Sequence, residues 1–178
     1  MSGIAADDIT PWLPPEDLDR VRRQVPMLYV DLLPVRTDES GTVTQVGLLL
    51  RMAQDNLSRA LVSGRVLYHE SIRQAMLRHL EKDLGPLCLP KLPTSPQPFT
   101  IGEYFPTPGS GAAYDPRQHA VSLAYVVEVE GDCQPQQDAL DFTWFTPAAA
   151  QAPEVIDQLV DGHATLLRRG LAHAGVDL

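Results

Sequence analysis

The order of elements written into this 178-residue chain predicts an α/β domain, a mixed β-sheet with helices on both sides. Three observations carry that expectation. A strand pair precedes one strongly amphipathic helix. A proline-rich connection then leads into further runs of β-forming residues. A helical segment closes the chain.

Residues 1–14 read as an irregular arm, with Trp12 and Leu13 placed to pin it to the body. PEDLDRVRRQV, residues 15–25, reads as a short helix. Pro15 sits at its start, and Glu16 and Asp17 complement the positive end of the dipole. Residues 1–26 thus form an N-terminal arm and short helix, and 27–178 the main domain. MLYVDLLPV (27–35) alternates as a strand until Pro34, and TVTQVGLLLRM (42–52) is a second strand. TDESG (37–41) turns between them as a hairpin. RALVSG (59–64) is a short apolar run ending in glycine. SIRQAMLRHLEKDLG (71–85) is the best helix, because Ile72, Met76, Leu80 and Leu84 recur every four residues with Leu77 beside them. Gly85-Pro86 stops it. Residues 86–98 hold five prolines and read as an irregular crossing. FTIGEYF (99–105) is a strand and 106–118 a Gly/Pro loop. HAVSLAYVVEVEG (119–131) is the strongest strand, and LDFTWF (140–145) follows a polar loop. Residues 152–175 read as one or two helices.

Composition narrows the function. The chain carries 14 basic and 23 acidic residues, a net charge of −9, so it has no basic footprint for coating nucleic acid. Cys88 and Cys133 are isolated, which fits neither a CxxC metal site nor a disulfide framework and points to a reducing cytoplasm. Residues 1–25 contain no apolar run of the signal-peptide kind, and no run approaches membrane-spanning length, so no membrane partner is expected.

The stretch from Gly64 to Pro86, GRVLYHESIRQAMLRHLEKDLGP, carries the chemistry. Gly64, Glu70, Arg78, Leu80 and Gly85 fall on the spacing of a Nudix box, with Ser71 and Ala75 in its usual Glu-Ser/Thr-x-x-x-Ala frame. YDPRQHAVSLAYVVEV (114–129) is similar to the Asp-Pro-Arg strand of ADP-ribose pyrophosphatase-like members, and Trp144-Phe145 to a later family strand. The chain therefore resembles the Nudix hydrolases over most of residues 27–172. The resemblance implies an α/β/α sandwich, a nucleotide-like small-molecule ligand and a homodimer. It also implies a divalent metal (Mg, Mn or Zn) held by helix carboxylates to neutralise diphosphate oxygens and activate water.

The box is degenerate. Where the family has three carboxylates, this chain has His79, Lys82 and Asp83. His79 and Asp83 lie one turn apart and are either a rebuilt metal site or ordinary polar residues of a decayed one. Asp83 is also the candidate catalytic residue, with Glu128 or Glu130 supplying a further carboxylate or simply forming the wet face of a strand. Asp138 and Asp141 are weaker versions of the same idea. Lys82 either meets a ligand phosphate as a point charge or is a solvated lysine. Tyr114 and Arg117, at a loop-to-strand junction, are candidate ligand-binding residues, with Arg117 either clasping a phosphate or carboxylate bidentately or lying on the surface beside a β-turn built by Asp115-Pro116. Gly64, Glu70, Arg78 and Gly85 form a structural frame in which Glu70 and Arg78 pair. Trp12, Tyr29, Tyr104, Phe105 and Trp144 either stack on a base or pack the core. His163 and His173 read as surface or packing residues.

The resulting expectation is a divergent Nudix-like protein that binds or hydrolyses a nucleoside-diphosphate-linked, ADP-ribose-like compound, with standard Mg-dependent activity in doubt. The alternative is a non-catalytic ligand sensor or protein-interaction module on the same fold.

Overall fold

The structure is a computed structural model that describes residues 12–53 and 55–176. The expected arm therefore lies outside the described residues over 1–11. Helix α1 (Pro15–Arg22) leads into β1 (Met27–Thr37) and β2 (Val43–Ala53), the expected hairpin. Asp38 builds its turn by accepting the amides of Ser40 and Thr42 at 2.9 and 3.0 Å. Strands β3 (Asn56–Ala60) and β4 (Val62–Arg65) precede helix α2 (Ile72–Leu84). Then come β5 (Thr100–Phe105), β6 (Ala113–Tyr114), β7 (Ala120–Glu128) and β8 (Ala139–Phe145), and three helices, α3 (Pro147–Ala150), α4 (Pro153–Ile156) and α5 (His163–His173).

Among the described residues, eight strands form one mixed sheet with the path β3-β2-β1-β7-β5-β6. β4 joins through β1 and β8 through β2. β1 and β7 run parallel from Met27↔Ala120 to Val35↔Glu128 and form its centre. Alternation along β1 sends Val30 and Leu32 to one face and Leu33 and Val35 to the other. The first face packs on Ala75, Met76, Leu80 and Leu84 of α2. The second packs on Leu166, Leu167 and Leu171 of α5. The fold is the expected α/β/α arrangement around a mixed sheet.

One expectation needs correction, and one strand had no counterpart in the sequence reading. Pro34 does not end β1, which continues to Thr37. β1 pairs with β4 through Leu32 and with β2 from Val35, so the missing proline amide falls where the strand changes partner. Residues 56–60 are a full strand against β2, which the polar Asn56 and Ser58 on either side of Leu57 concealed. The closing segment takes the two-helix form of the expectation, as α4 and α5. It is broken over 157–162, where Gly162 adopts φ +82° and a Cβ would lie 2.7 Å from Ala113 Cβ and 2.9 Å from Tyr104. That break carries the chain back over the sheet, with Leu159 bridging Arg59.

Helix α2 starts where Ser71 accepts the Gln74 amide at 3.2 Å and Gln74 accepts the Ser71 amide at 2.8 Å, a capping box. It stops at Gly85, with φ +85°. Among the described residues no helix is long and apolar enough to cross a membrane.

Candidate functional site

A cavity of about 830 Å³ opens between α1, β1, β4, α2, the 114–118 loop and the start of α5. Its walls hold six cationic side chains, Arg22, Arg51, Arg65, Arg78, Lys82 and Arg117, and four carboxylates, Asp31, Asp115, Asp138 and Asp161. Trp12, Tyr29, Tyr104 and Tyr114 add aromatic surface.

The frame residues fix the α2 wall. Arg78 grips Glu70 with two bonds, Nε to Oε1 at 2.6 Å and Nη2 to Oε2 at 2.7 Å, and also donates to the Arg65 carbonyl at 2.9 Å. Glu70 Oε2 accepts the Leu67 amide at 2.9 Å. Burial pushes the Glu70 carboxyl up, but the bonds from Arg78 and Leu67 outweigh it and hold the group below its ordinary value. The loop before α2 is thus tied to the helix by a charge-assisted fork. Gly64 leaves room for His79. An added Cβ would sit 1.8 Å from the imidazole Cε1 and 2.3 Å from both ring nitrogens. The ring edge lies flat on the β4 backbone, with Nε2 3.0 Å from the Arg65 carbonyl and Nδ1 buried without a partner. Burial is the main cause that holds His79 below its ordinary imidazole value, with the Arg78 charge adding to it.

Lys82 lines the cavity, and its Nζ lies 3.0 Å from Asp83 Oδ1. The Asp83 side chain is only 5% exposed and its Oδ2 is buried without a partner. Arg65, on β4, makes no ion pair and no side-chain hydrogen bond among the described residues. Burial lowers its guanidinium from the ordinary value, and the charges of Arg22 and Arg78 lower it further. Arg22 itself donates to Gln118 Oε1 at 3.1 Å.

The neighbouring wall, two residues further along the β1–β4 pair, is built around a buried anion. Asp31 on β1 is 1% exposed. Its Oδ2 accepts the Tyr104 hydroxyl at 3.0 Å, and its Oδ1 lies 3.6 Å from His163 Nε2. The Leu61 amide donates to His163 Nδ1 at 3.1 Å, so Nδ1 is the bare nitrogen and Nε2 carries the proton facing Asp31. Burial raises Asp31, but His163 and the neighbouring Ser63 and Ser122 hydroxyls outweigh it and keep the carboxyl below its ordinary value. Burial and the Asp31 charge push the Tyr104 phenol far up, so it stays a donor.

The candidate residues thus separate. His79, Lys82, Tyr114 and Arg117 reach the cavity, as does Asp138. Arg117 is held by Asp115, Nε to Oδ1 at 2.9 Å and Nη2 to Oδ2 at 2.8 Å, so its fork closes on the chain's own turn. Glu128 and Glu130 do not line the cavity. They pair with Lys91, and Glu128 also accepts the Thr37 hydroxyl at 2.7 Å. Asp141 accepts the Thr143 hydroxyl at 2.9 Å. Phe105 stacks on His119, and Trp144 lies under Arg36. His163 is no surface residue, and Asp31, its partner, escaped the sequence reading altogether. A lone aspartate in the apolar run LYVDLLPV was the available signal.

These residues do not fit a divalent metal. A hard dication needs several oxygens in one shell. Among the described residues no three His, Cys, Asp or Glu side chains converge. The Asp83 oxygen nearest Lys82 holds an ammonium, and the His79 nitrogens lie against backbone.

The comparisons agree with this architecture. The family model described as a domain of unknown function, DUF4916, matches residues 8–176. A protein of known structure from Jonesia denitrificans, described as a possible asymmetric diadenosine tetraphosphate hydrolase, is 57% identical. That match covers 87% of this chain and 99% of the other, with a TM-score of 0.83. The Nudix domain of Shewanella oneidensis NrtR, solved with ADP ribose, is 18% identical over 90% of this chain and 93% of its own, with a TM-score of 0.60. The chain belongs to the Nudix family, within DUF4916. A bifunctional NMN adenylyltransferase/ADP ribose pyrophosphatase from Francisella tularensis, solved with AMP and a Mn ion, shares the fold at 14% identity and a TM-score of 0.59. That match spans 90% of this Nudix chain and 47% of the other. No curated protein matches the sequence.

Proposed function

We propose that the cavity binds the diphosphate of a nucleoside-diphosphate-linked compound, ADP-ribose-like in class. The observation that carries this reading is Arg65, a partly buried guanidinium with no carboxylate of its own, set beside Arg22 and Arg78. Glu70 answers Arg78 and Asp19 answers Arg22, so Arg65 is the guanidinium of this group that lacks an anion, and a diphosphate supplies that charge. The cavity volume of about 830 Å³ suits a dinucleotide-sized ligand. Tyr29, Tyr104, Tyr114 and Trp12 offer faces and hydroxyls for a base and ribose. The ADP ribose bound by the NrtR domain and the diadenosine tetraphosphate named for the Jonesia protein belong to the same chemical class.

Binding without turnover is the favoured form of this function, because the α2 positions expected to hold catalytic carboxylates carry His79 and a Lys82–Asp83 pair. The deciding experiment is calorimetry with ADP-ribose and diadenosine tetraphosphate, run beside a phosphate-release assay. Saturable binding that raises the melting temperature, weakened at least tenfold by Arg65→Ala, supports the reading. No heat and no thermal shift at millimolar ligand would overturn it. Metal-dependent release abolished by Asp83→Asn would replace it with hydrolysis.

A further inference from the structure

We propose that Lys82 is a built-in substitute for the divalent cation at the α2 wall, so that this chain holds the diphosphate of its ligand without metal. The inference rests on the anion-binding reading above and adds how the ligand's charge is neutralised. Three features of the wall support it.

The first is position. Lys82 faces the cavity, whereas Asp83 does not line it. The ammonium, 3.0 Å from Asp83 Oδ1, therefore stands between the one retained carboxylate and any ligand. A dication drawn to that carboxylate would stand beside the ammonium, and the two cations repel. The pair also explains why a buried carboxylate at this point is tolerated, since an unpaired one would carry a large desolvation cost.

The second is closure of the other donor. His79 would need a bare nitrogen open to the cavity and a metal about 2.0–2.1 Å away. Its Nε2 is committed to the Arg65 carbonyl, and Nδ1 lies 2.3 Å from where a Gly64 Cβ would project. Nδ1 is buried, so it is not open to the cavity.

The third is charge. Arg22, Arg65 and Arg78 add guanidinium groups to the same wall. With Lys82 they supply fixed positive charge and directed N–H donors, which is what a metal would otherwise bring to the phosphates.

The test titrates inorganic pyrophosphate and ADP-ribose into the purified chain in EDTA and in excess Mg²⁺, at matched free ligand concentration. Mn²⁺ binding is followed separately by electron paramagnetic resonance. Affinity should agree within about twofold between EDTA and Mg²⁺, and the Mn²⁺ signal should stay that of the free ion. Lys82→Met should weaken binding in EDTA at least tenfold. Lys82→Glu, which places a carboxylate beside Asp83, should create Mn²⁺ binding. A wild-type affinity that falls tenfold in EDTA, or a wild-type Mn²⁺ site lost in Asp83→Asn, would overturn the inference. Unchanged binding in Lys82→Met would do the same. Pyrophosphate binding in EDTA without ADP-ribose binding would leave the inference standing and sink the ADP-ribose-like reading. Failure of both ligands under both conditions would remove both.

Discussion

The two walls of the cavity handle charge in opposite ways. At the Asp31 wall a fully buried carboxylate meets the Tyr104 hydroxyl and the protonated face of His163, each held in turn by the fold. At the Arg65 wall, Glu70, Asp83 and Asp19 answer Arg78, Lys82 and Arg22, and the Arg65 guanidinium has no carboxylate of its own. The first wall is complete as it stands and belongs to stability. The second leaves positive charge unmatched and belongs to ligand binding. A polar residue facing a cavity is therefore not evidence of a site by itself. What separates the two is whether the protein already satisfies the charge.

The sharpest way to break this comparison is Asp31→Ala. Removing one partner of a buried pair typically costs about 3–5 kcal/mol, and the Tyr104 hydroxyl would lose its acceptor as well. Urea unfolding should show that loss, and a cost below about 1 kcal/mol would mean the wall is not structural. Gly64→Ala comes next, at about 1–3 kcal/mol, because the new methyl collides with the His79 ring. A restored stability in Gly64→Ala/His79→Ala, by the same unfolding measurement, would identify the clash as the cause.

Arg65→Ala tests the other wall and should split the two readouts. Affinity for ADP-ribose should fall at least tenfold by calorimetry. The melting temperature should hold or rise, because repulsion from Arg22 and Arg78 is relieved. A large loss of stability would make Arg65 structural and erase the contrast.

The smallest effect is a pH dependence. The folded His79 value lies below the ordinary 6.5, chiefly through burial. The unfolded chain therefore takes up a proton first, so the contribution is fully present above 6.5 and is lost as pH falls toward the lowered folded value. Asp31 and Glu70 are lowered from 3.8 and 4.5, so their contribution is lost only at more acid pH. Melting temperature should decline in two stages on acidification, and His79→Gln should flatten the first. A first stage unchanged in that variant would exclude His79 as its source.

Much of the fold was legible because it is local. The four-residue apolar spacing of α2, its Ser71 cap and the Gly85 stop are written in neighbouring residues. So are the turn at Asp38 and the alternation of β7. The continuation of β1 through Pro34 was hidden, since it depends on β4 and β2 meeting β1 on either side of that residue. The site was legible along α2 and at the Tyr114–Arg117 junction, and its buried centre was not. Asp31, Tyr104 and His163 are separated by 73 and 132 residues from the first to the others, as 104 − 31 and 163 − 31. No periodicity links positions so distant. Glu128 and Glu130 looked equally available in sequence, and only the pairing of Lys91 with both places them away from the cavity.

The sequence by itself determined the Nudix frame, because Gly64, Glu70, Arg78 and Gly85 act through spacing along one loop and helix. It also showed that His79 and Lys82 stand where carboxylates are expected. The tertiary structure decided which charges are answered and which are not. Compensation depends on distances of about 3 Å between residues remote in the chain, and on burial that sets what each unanswered charge costs.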